Sequence, residues 1–556
     1  MPNSHRENFQ GRLEDTRFLQ GRGTFCANQA ASLDYCHCAF VRSPYPHARI
    51  VKIAIDEAQA MPGVKAVIDG AFLADHGINA MAAPEIPIGA KDAFFNPVPQ
   101  FPLARDTVRF VGEAVVMVVA ETLAQAQDCC EALIIEYEEL PLLAHNDEET
   151  LVFHHEKGDE QATRRALENS AKTVSLTLDG YPISGAYLEP RTVICDYDSK
   201  DERVHVITTG QAALFMHSHL THVCNCAAHE IHVTIPDVGG GFGLKFSTYP
   251  ETACITAASR ILQRSMQWQS TRTEAFLADF QARNQTATTT LGLDDGGNIT
   301  ALLVESTCDM GAYPTPNSGN VCGEGFAKTL GHCYRVPTLY CHTKTSYANM
   351  PPQDPLRGAG KPESTHLVER LIDLAARECA QDVISFRKQN LLHQHELPRL
   401  AANGYQYETG DFLAVLDSAC ALANYADFAA RAKTAREKGK LRGIGVGMHL
   451  HLTGGAKQDT AQVRLETNGD FTVMVGQVPS GQGHETTLAE LFAKKLEIQR
   501  ERVTLCFGDS DVVHGRSGTG GSNAMAVSAS ALLEAADGII ERMKEMASDE
   551  LEADIA

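Results

Sequence analysis

The apolar and polar positions of this chain fall into runs and periods that predict its elements. Val115-Val-Met-Val-Val-Ala120 is an unbroken apolar run of strand length, the pattern of a strand buried on both faces. Ala39-Phe-Val-Arg42 and Ala66-Val-Ile-Asp69 read as shorter strands, and residues 122–133 return to a helical period. Together they predict an α/β module over residues 21–145, behind a polar arm at residues 1–20. Pro141-Leu-Leu-Ala-His145 and the acidic Asp147-Glu-Glu-Thr150 read as a linker. Residues 150–395 alternate strands with helices. Residues 405–556 open on a helix, turn to hairpins and finish on a long helix at about 524–551. Its Leu532, Leu533, Ile539 and Ile540 form an apolar stripe that needs a covering surface. Asn468-Gly469 and Asp294-Asp-Gly-Gly-Asn298 are hairpin turn signals between β-rich runs.

A chain of 556 residues has room for several domains, and 21% charged against 44% hydrophobic residues is an ordinary globular balance. The formal charge of −22 opposes a phosphate backbone, so nucleic acid is not the expected partner. No apolar run approaches the ~20 residues of a membrane span, and Met1-Pro-Asn-Ser-His-Arg-Glu-Asn-Phe9 lacks a signal-peptide core, so the expected location is the cytoplasm. The sixteen cysteines include Cys36/Cys38, Cys129/Cys130 and Cys224/Cys226, spacings that suit neither zinc nor iron–sulfur ligation. Reduced thiols are expected, with any iron–sulfur centres on another chain.

Candidate chemistry concentrates in glycine loops that each lead into a helix. They are Gly239-Gly-Gly-Phe-Gly243, Arg357-Gly-Ala-Gly-Lys-Pro-Glu363, Ser480-Gly-Gln-Gly-His-Glu485 and Gly518-Thr-Gly-Gly-Ser-Asn523. Thr487-Leu-Ala-Glu490 has the letters of a capping box for the third helix. Glycine admits close backbone approach and a helix start offers unpaired N–H donors, so such loops suit a long, anionic, hydrogen-bonding cofactor. The second loop fails the P-loop pattern at Pro355 and Pro362, and the first lacks the dinucleotide spacing.

At these loops the sequence resembles the large, molybdenum-cofactor-binding subunit of the xanthine dehydrogenase/aldehyde oxidase family, in the style of its bacterial aerobic carbon-monoxide-dehydrogenase-like branch. The resemblance runs from Arg12-Leu-Glu-Asp-Thr-Arg-Phe-Leu-Gln-Gly-Arg-Gly23 through Ala39-Phe-Val-Arg-Ser-Pro-Tyr-Pro-His-Ala-Arg-Ile50, Val108-Arg-Phe-Val-Gly-Glu113, Asp237-Val-Gly-Gly-Gly-Phe-Gly243 and Leu356-Arg-Gly-Ala-Gly-Lys-Pro-Glu363 to Gly481-Gln-Gly-His-Glu-Thr-Thr487 and Gly508-Asp-Ser-Asp511. It implies a mixed α/β, α+β chain: an N-terminal α/β hammerhead domain followed by two molybdopterin-binding domains, the last incomplete. It implies a molybdenum–pyranopterin cofactor, in cytosine dinucleotide form, whose dithiolene rather than the protein holds the metal. Electrons would pass to [2Fe-2S] clusters on a small subunit and FAD on a medium subunit. The reaction implied is hydroxylation of an aldehyde or N-heteroaromatic carbon, with water as the oxygen source.

Residue by residue, Gln211 matches the glutamine that donates to an oxo ligand of the metal, and Arg357 the arginine beside the substrate pocket. Gly241, Phe242 and Gly243 match the loop against the pterin; Gln482, Gly483 and His484 match a pterin and dinucleotide contact; Thr519, Gly520, Gly521 and Ser522 match the pyrophosphate cradle. Carbon-monoxide enzymes carry a copper-binding cysteine where this chain has Gly358. Purine oxidisers carry a glutamate where it has Phe246 and an arginine where it has Gly325, so neither substrate is expected. The family's general-base glutamate lies in a Gly-x-Gly-Glu segment beyond the Gly-Thr-Gly-Gly cradle, and Gly112-Glu113 and Gly323-Glu324 fall elsewhere in the pattern. The expectation is that this base is not within the 556 residues and comes from a second, C-terminal chain. The alternative is a truncated, inactive fragment or an assembly subunit that only binds cofactor. His217, His219, His222, Cys224, Cys226, His229 and His232 are read as helix and strand residues with carbonyl partners rather than a metal site, and His449 and His451 as one face of a strand.

Overall fold

The apolar run becomes strand Ala114–Ala120, with all seven residues buried. It pairs antiparallel with Cys36–Arg42 on one side and Val64–Asp69 on the other. Cys36–Arg42 then pairs in parallel with Met266–Gln269, beyond which follow Thr192–Asp198, Arg203–Thr208 and Ile231–Thr234. One seven-stranded sheet thus joins the N-terminal α/β module to the region after residue 150. This computed structural model describes residues 11–32, 35–82, 90–91, 98–143, 150–453, 459–514, 518–552 and 554; most of the linker read at 141–150 lies outside them.

Helix Leu123–Ala132 starts at a capping box of Thr122 and Gln125 and buries Ala126 and Cys129. Helix Pro250–Leu262, with proline in its first turn, is buried from Glu251 to Ser259. The two halves are also joined by charge. Arg191 donates to Glu251 Oε2 at 2.7 Å and to Asp279 Oδ1 at 2.7 Å, and Arg42 of the first module reaches Glu251 at 2.9 Å. Burial alone would raise Glu251, but Arg191 and Arg42 outweigh it and hold the carboxyl at about 2.

A six-stranded sheet runs Ala90–Lys91, Leu151–Gly158, Leu339–Ser346, Ile299–Asp309, Gln285–Leu293, Lys172–Asp179. Its core is completed by helix Lys361–Glu378 through Leu367, Leu371, Ile372 and Ala375. Asp294 Oδ1 accepts from the N–H groups of Gly296 and Asn298, which closes the turn expected there. The last region builds a hairpin of Ala461–Leu465 and Phe471–Val475 around Asn468-Gly469, with Val503–Cys506 in parallel.

Helix Ala529–Leu551 finds cover for part of its stripe: Leu532 and Ala536 are buried with Leu488 and Phe492, Ile539 packs partly buried against them, and Leu533 and Ile540 stay half-buried outside that cluster. Three sequence expectations meet a different outcome, the first on helix His484–Leu496. That helix begins at His484 behind Gly483, so Thr487 sits inside it and turns its hydroxyl onto the Gly483 carbonyl at 3.1 Å instead of capping. Residues 11–24 are no free arm: Arg12, Leu13 and Arg17 are hydrogen-bonded to Gly481, Thr486 and Glu485. Residues 440–453 form no strand, because a strand needs a paired neighbour and the polypeptide here is held by side chains: Glu369 accepts from Met448 N at 2.9 Å and Arg387 donates to the Val446 carbonyl at 2.8 Å. None of the sixteen cysteines is in a disulfide.

Candidate functional site

Strand Ile231–Thr234 delivers the chain to Asp237 and then to the first glycine loop. Glycine is obligatory at its end: Gly243 has φ +107° and a Cβ there would stand 2.2 Å from the Pro355 carbonyl. A Cβ on Gly241 would stand 2.4 Å from Gln211 Oε1. Glu189 fixes the loop from behind, accepting from Gly239 N at 2.8 Å, while the buried Lys245 donates to the Glu189 carbonyl at 2.8 Å.

Gln211 is the hub. Its Oε1 accepts from Gly243 N at 2.9 Å, and its Nε2 donates to the Thr519 carbonyl at 2.7 Å. The second loop joins through Arg357, whose N–H donates to the Phe242 carbonyl at 2.7 Å. The third joins the fourth at Val478, whose carbonyl accepts from Thr519 Oγ1 at 2.7 Å and from Gln482 Nε2 at 3.4 Å. The structure therefore connects Gln211, Gly241, Phe242, Gly243, Arg357, Gln482 and Thr519 in one network. Gly483 and His484 begin the helix behind it, with His484 Nδ1 3.2 Å from Gln482 Nε2. Burial lowers the His484 pKa, which favours the neutral ring.

A bound dinucleotide has to meet donors the protein leaves open, and they are present. The N–H groups of Gly520, Gly521 and Ser522 have no acceptor among the described residues, and Gly521 and Ser522 adopt φ +64° and +58°. Such consecutive donors ahead of a long helix form an anion cradle. Ser480 Oγ in the neighbouring loop is buried without a hydrogen-bond partner among the described residues, and one N–H of the Gln211 amide remains after Thr519. These open donors suit an anionic, hydrogen-bonding cofactor. Phe246 walls the same space, its ring 3.2 Å from a Cβ on Gly520 and stacked at an angle on Phe215. Arg357 is exposed, and its guanidinium makes no hydrogen bond among the described residues. Gly358 has φ +105°, and a Cβ would lie 2.3 Å from Pro362 Cγ, so this backbone has no room for a thiol.

Two supports escaped the reading of the sequence. Arg17 donates to Glu485 Oε1 at 2.9 Å and also to Asp237, tying the first loop to the third helix. Asp237 in turn accepts from Thr24 N at 2.7 Å. Their signal was present, since Arg17 and Asp237 both stand in the motifs quoted above, but nothing in the sequence pairs them. The other candidates lie apart. Glu113 is buried on Tyr313 (2.6 Å) and Arg109 N (2.6 Å), and burial pushes its carboxyl up to about 7. Glu324 takes His155 and Lys157 at 3.0 and 3.1 Å. His217 Nε2 lies 2.8 Å from the Ala228 carbonyl, and among the described residues no three His, Cys, Asp or Glu side chains gather as a metal site.

Family models match three stretches of the chain. The aldehyde oxidase and xanthine dehydrogenase a/b hammerhead domain matches residues 20–141, and molybdopterin cofactor-binding domains match 144–391 and 418–556. The nicotine 6-hydroxylase large subunit of Paenarthrobacter nicotinovorans is 30% identical over 98% of this chain and 68% of its own length. The carbon monoxide dehydrogenase large chain of Hydrogenophaga pseudoflava is 26% identical over 97% and 71%. Among solved structures, quinoline 2-oxidoreductase from Pseudomonas putida 86 superposes with a TM-score of 0.91 at 30% identity, over 98% of this chain and 71% of that one.

Proposed function

Because the chain belongs to the xanthine dehydrogenase/aldehyde oxidase family, as the large subunit of a molybdenum-dependent oxidoreductase, we propose that it hydroxylates an aldehyde or N-heteroaromatic carbon in a cytoplasmic complex. The single observation that carries the reading is the Gln211 hub, which draws the first and fourth glycine loops together around unpaired backbone donors. The relatives named for nicotine and quinoline support the N-heteroaromatic choice.

When bound, a molybdenum–pyranopterin group in cytosine dinucleotide form would supply the redox chemistry for hydroxylation with oxygen from water. This chain's residues hold and orient. Gly520, Gly521 and Ser522 present N–H donors to the pyrophosphate. Gln211 uses its second amide N–H as an uncharged donor toward the metal centre. Gly241, Phe242 and Gly243 bring backbone close to the pterin, with Gln482 and His484 as its polar contacts. Arg357 orients a polar substrate, and Phe246 excludes water from the pocket wall. A small [2Fe-2S] subunit and a medium FAD subunit receive the electrons.

The test is composition. Purified with its partner chains from a molybdenum-replete host, the protein is expected to carry molybdenum and a cytosine dinucleotide of pyranopterin near one per chain, by metal analysis and mass spectrometry. Stoichiometric zinc or NAD without molybdenum overturns the reading.

A further inference from the structure

The loop that begins at Arg357 ends at a charge the protein does not neutralise. Lys361 is 4% exposed, yet no carboxylate among the described residues pairs with its ammonium, and it makes no side-chain hydrogen bond. Its charged neighbour is another cation: burial, and then Lys328, push its pKa down to about 8. Lys328 is likewise without an ion pair at contact distance. The nearby Glu324 is committed elsewhere, to His155 at 3.0 Å, Lys157 at 3.1 Å and the Tyr405 hydroxyl. In a chain of net charge −22, two neighbouring lysines that make no contact ion pair among the described residues stand out.

The backbone holds these cations in place. Gly360 has φ +87°, and a Cβ there would stand 2.5 Å from Phe326 N, so the start of helix Lys361–Glu378 lies directly on the segment that carries Lys328. Thr329 and Ser364 hydroxyls, 2.6 Å apart, pin the next turn. Two exposed imidazoles complete the cluster: His449 Nδ1 lies 2.9 Å from Thr365 Oγ1, and the His449 and His451 rings are 5.8 Å apart. Burial and then Lys361 lower the pKa of both histidines. Behind them His332 is 1% exposed, with no hydrogen-bond partner on either ring nitrogen among the described residues. Four peptide steps separate Arg357 from Lys361, so their Cα atoms are at most about 14 Å apart, within the span of one small aromatic molecule and the two side chains that reach for it.

We propose that Lys361, Lys328, His449 and His451 form the recognition site for the carboxylate of the substrate, which makes that substrate an anionic, carboxylate-bearing aromatic. A charge-assisted hydrogen bond would give Lys361 the anionic partner it lacks among the described residues. The inference rests on the hydroxylase reading for its meaning, but the site itself is a property of this chain and is measurable without turnover.

The experiment is equilibrium dialysis of radiolabelled benzoate against the full chain in its complex, with molybdenum measured on the same sample. Benzoate is expected to bind near one per chain and to be displaced by other aromatic carboxylates but not by neutral benzamide. Lys361→Gln is expected to weaken binding ~tenfold or more, and Lys361→Arg to retain most of it. Equal displacement by benzamide, or equal binding by wild type, Lys361→Gln and Lys328→Gln, overturns the proposal. Displacement by inorganic phosphate at concentrations where carboxylates fail overturns it in favour of a phosphate site. If Lys361→Gln does not fold, Lys361→Arg and the benzamide competition still decide. A molybdenum-loaded complex that ignores benzoate defeats this inference alone; a benzoate-binding protein that never takes up molybdenum defeats the hydroxylase reading alone.

Discussion

Gln211 and Thr519 hold each other by a closed pair of hydrogen bonds. Thr519 N–H donates to the Gln211 backbone carbonyl at 2.7 Å, and Gln211 Nε2 donates to the Thr519 carbonyl at 2.7 Å. Residues 308 positions apart thereby behave as one local turn, and the same amide extends to Gly243.

Replacing this side chain tests both of its roles. Gln211→Ala leaves the Thr519 carbonyl and Gly243 N–H without partners, a cost of about 1–3 kcal/mol, read as a lowered midpoint in denaturant. Turnover per bound molybdenum is expected to fall ~10²–10³-fold. An unchanged rate removes Gln211 from the site.

Arg357 and Gly358 are expected to separate function from stability. The Arg357 guanidinium is exposed and unbonded, so Arg357→Met is expected to change unfolding free energy by less than about 0.5 kcal/mol while kcat/KM collapses. Gly358→Cys has the opposite profile: its φ of +105° and the Pro362 contact make it destabilising, with no copper-dependent carbon monoxide oxidation gained. Equal losses in both assays for Arg357→Met defeat its substrate role.

Glu113 makes stability depend on pH in a defined direction. Its carboxyl rises from 4.5 to about 7 on folding, through burial, so the folded state binds the extra proton between those values. Stability from this group is complete below about 4.5 and is lost as pH rises toward 7; the buried Asp354, also raised to about 7, adds in the same sense. Glu113→Gln cannot ionise. Its melting temperature relative to wild type is expected to climb between pH 5 and pH 8, and a flat or falling difference contradicts the assignment.

The staple at Arg17 is testable by proteolysis. Arg17→Ala leaves the buried Asp237 without its cation, at a cost of about 1–3 kcal/mol after allowance for partial exposure. Residues 11–24 are expected to become cleavable by a limiting dose of protease while the remainder resists. Cleavage no faster than in wild type means that Thr24 and Leu13 suffice to hold the segment.

What the sequence discloses follows from how local each cause is. Val115 to Ala120 is legible because an unbroken apolar run has few other uses, and the loops are legible because Gly243, Gly358 and Gly483 sit at φ +107°, +105° and +84°. Thr487 misleads because Gly483 starts the helix one turn before the capping letters. His449 and His451 mislead because alternation describes a strand only when another strand pairs with it. Arg17 is illegible in principle, its partners standing 220 and 468 positions away. The unpaired state of Lys361 is invisible for a related reason: a lysine's lack of a carboxylate is a statement about every other residue at once.

The shared sheet carries a consequence for how the protein is made. Cys36 pairs with Met266, so the N-terminal module leaves the ribosome with one edge of its central sheet bare. At about 5–20 residues per second, that edge waits roughly 7–29 s after strand Ala114–Ala120 is made for its neighbour to be synthesised. During that interval a long apolar strand system offers itself to any other nascent chain. Slower translation over residues 121–265 is therefore expected to lower the soluble yield, and a chaperone that shields strand edges to restore it.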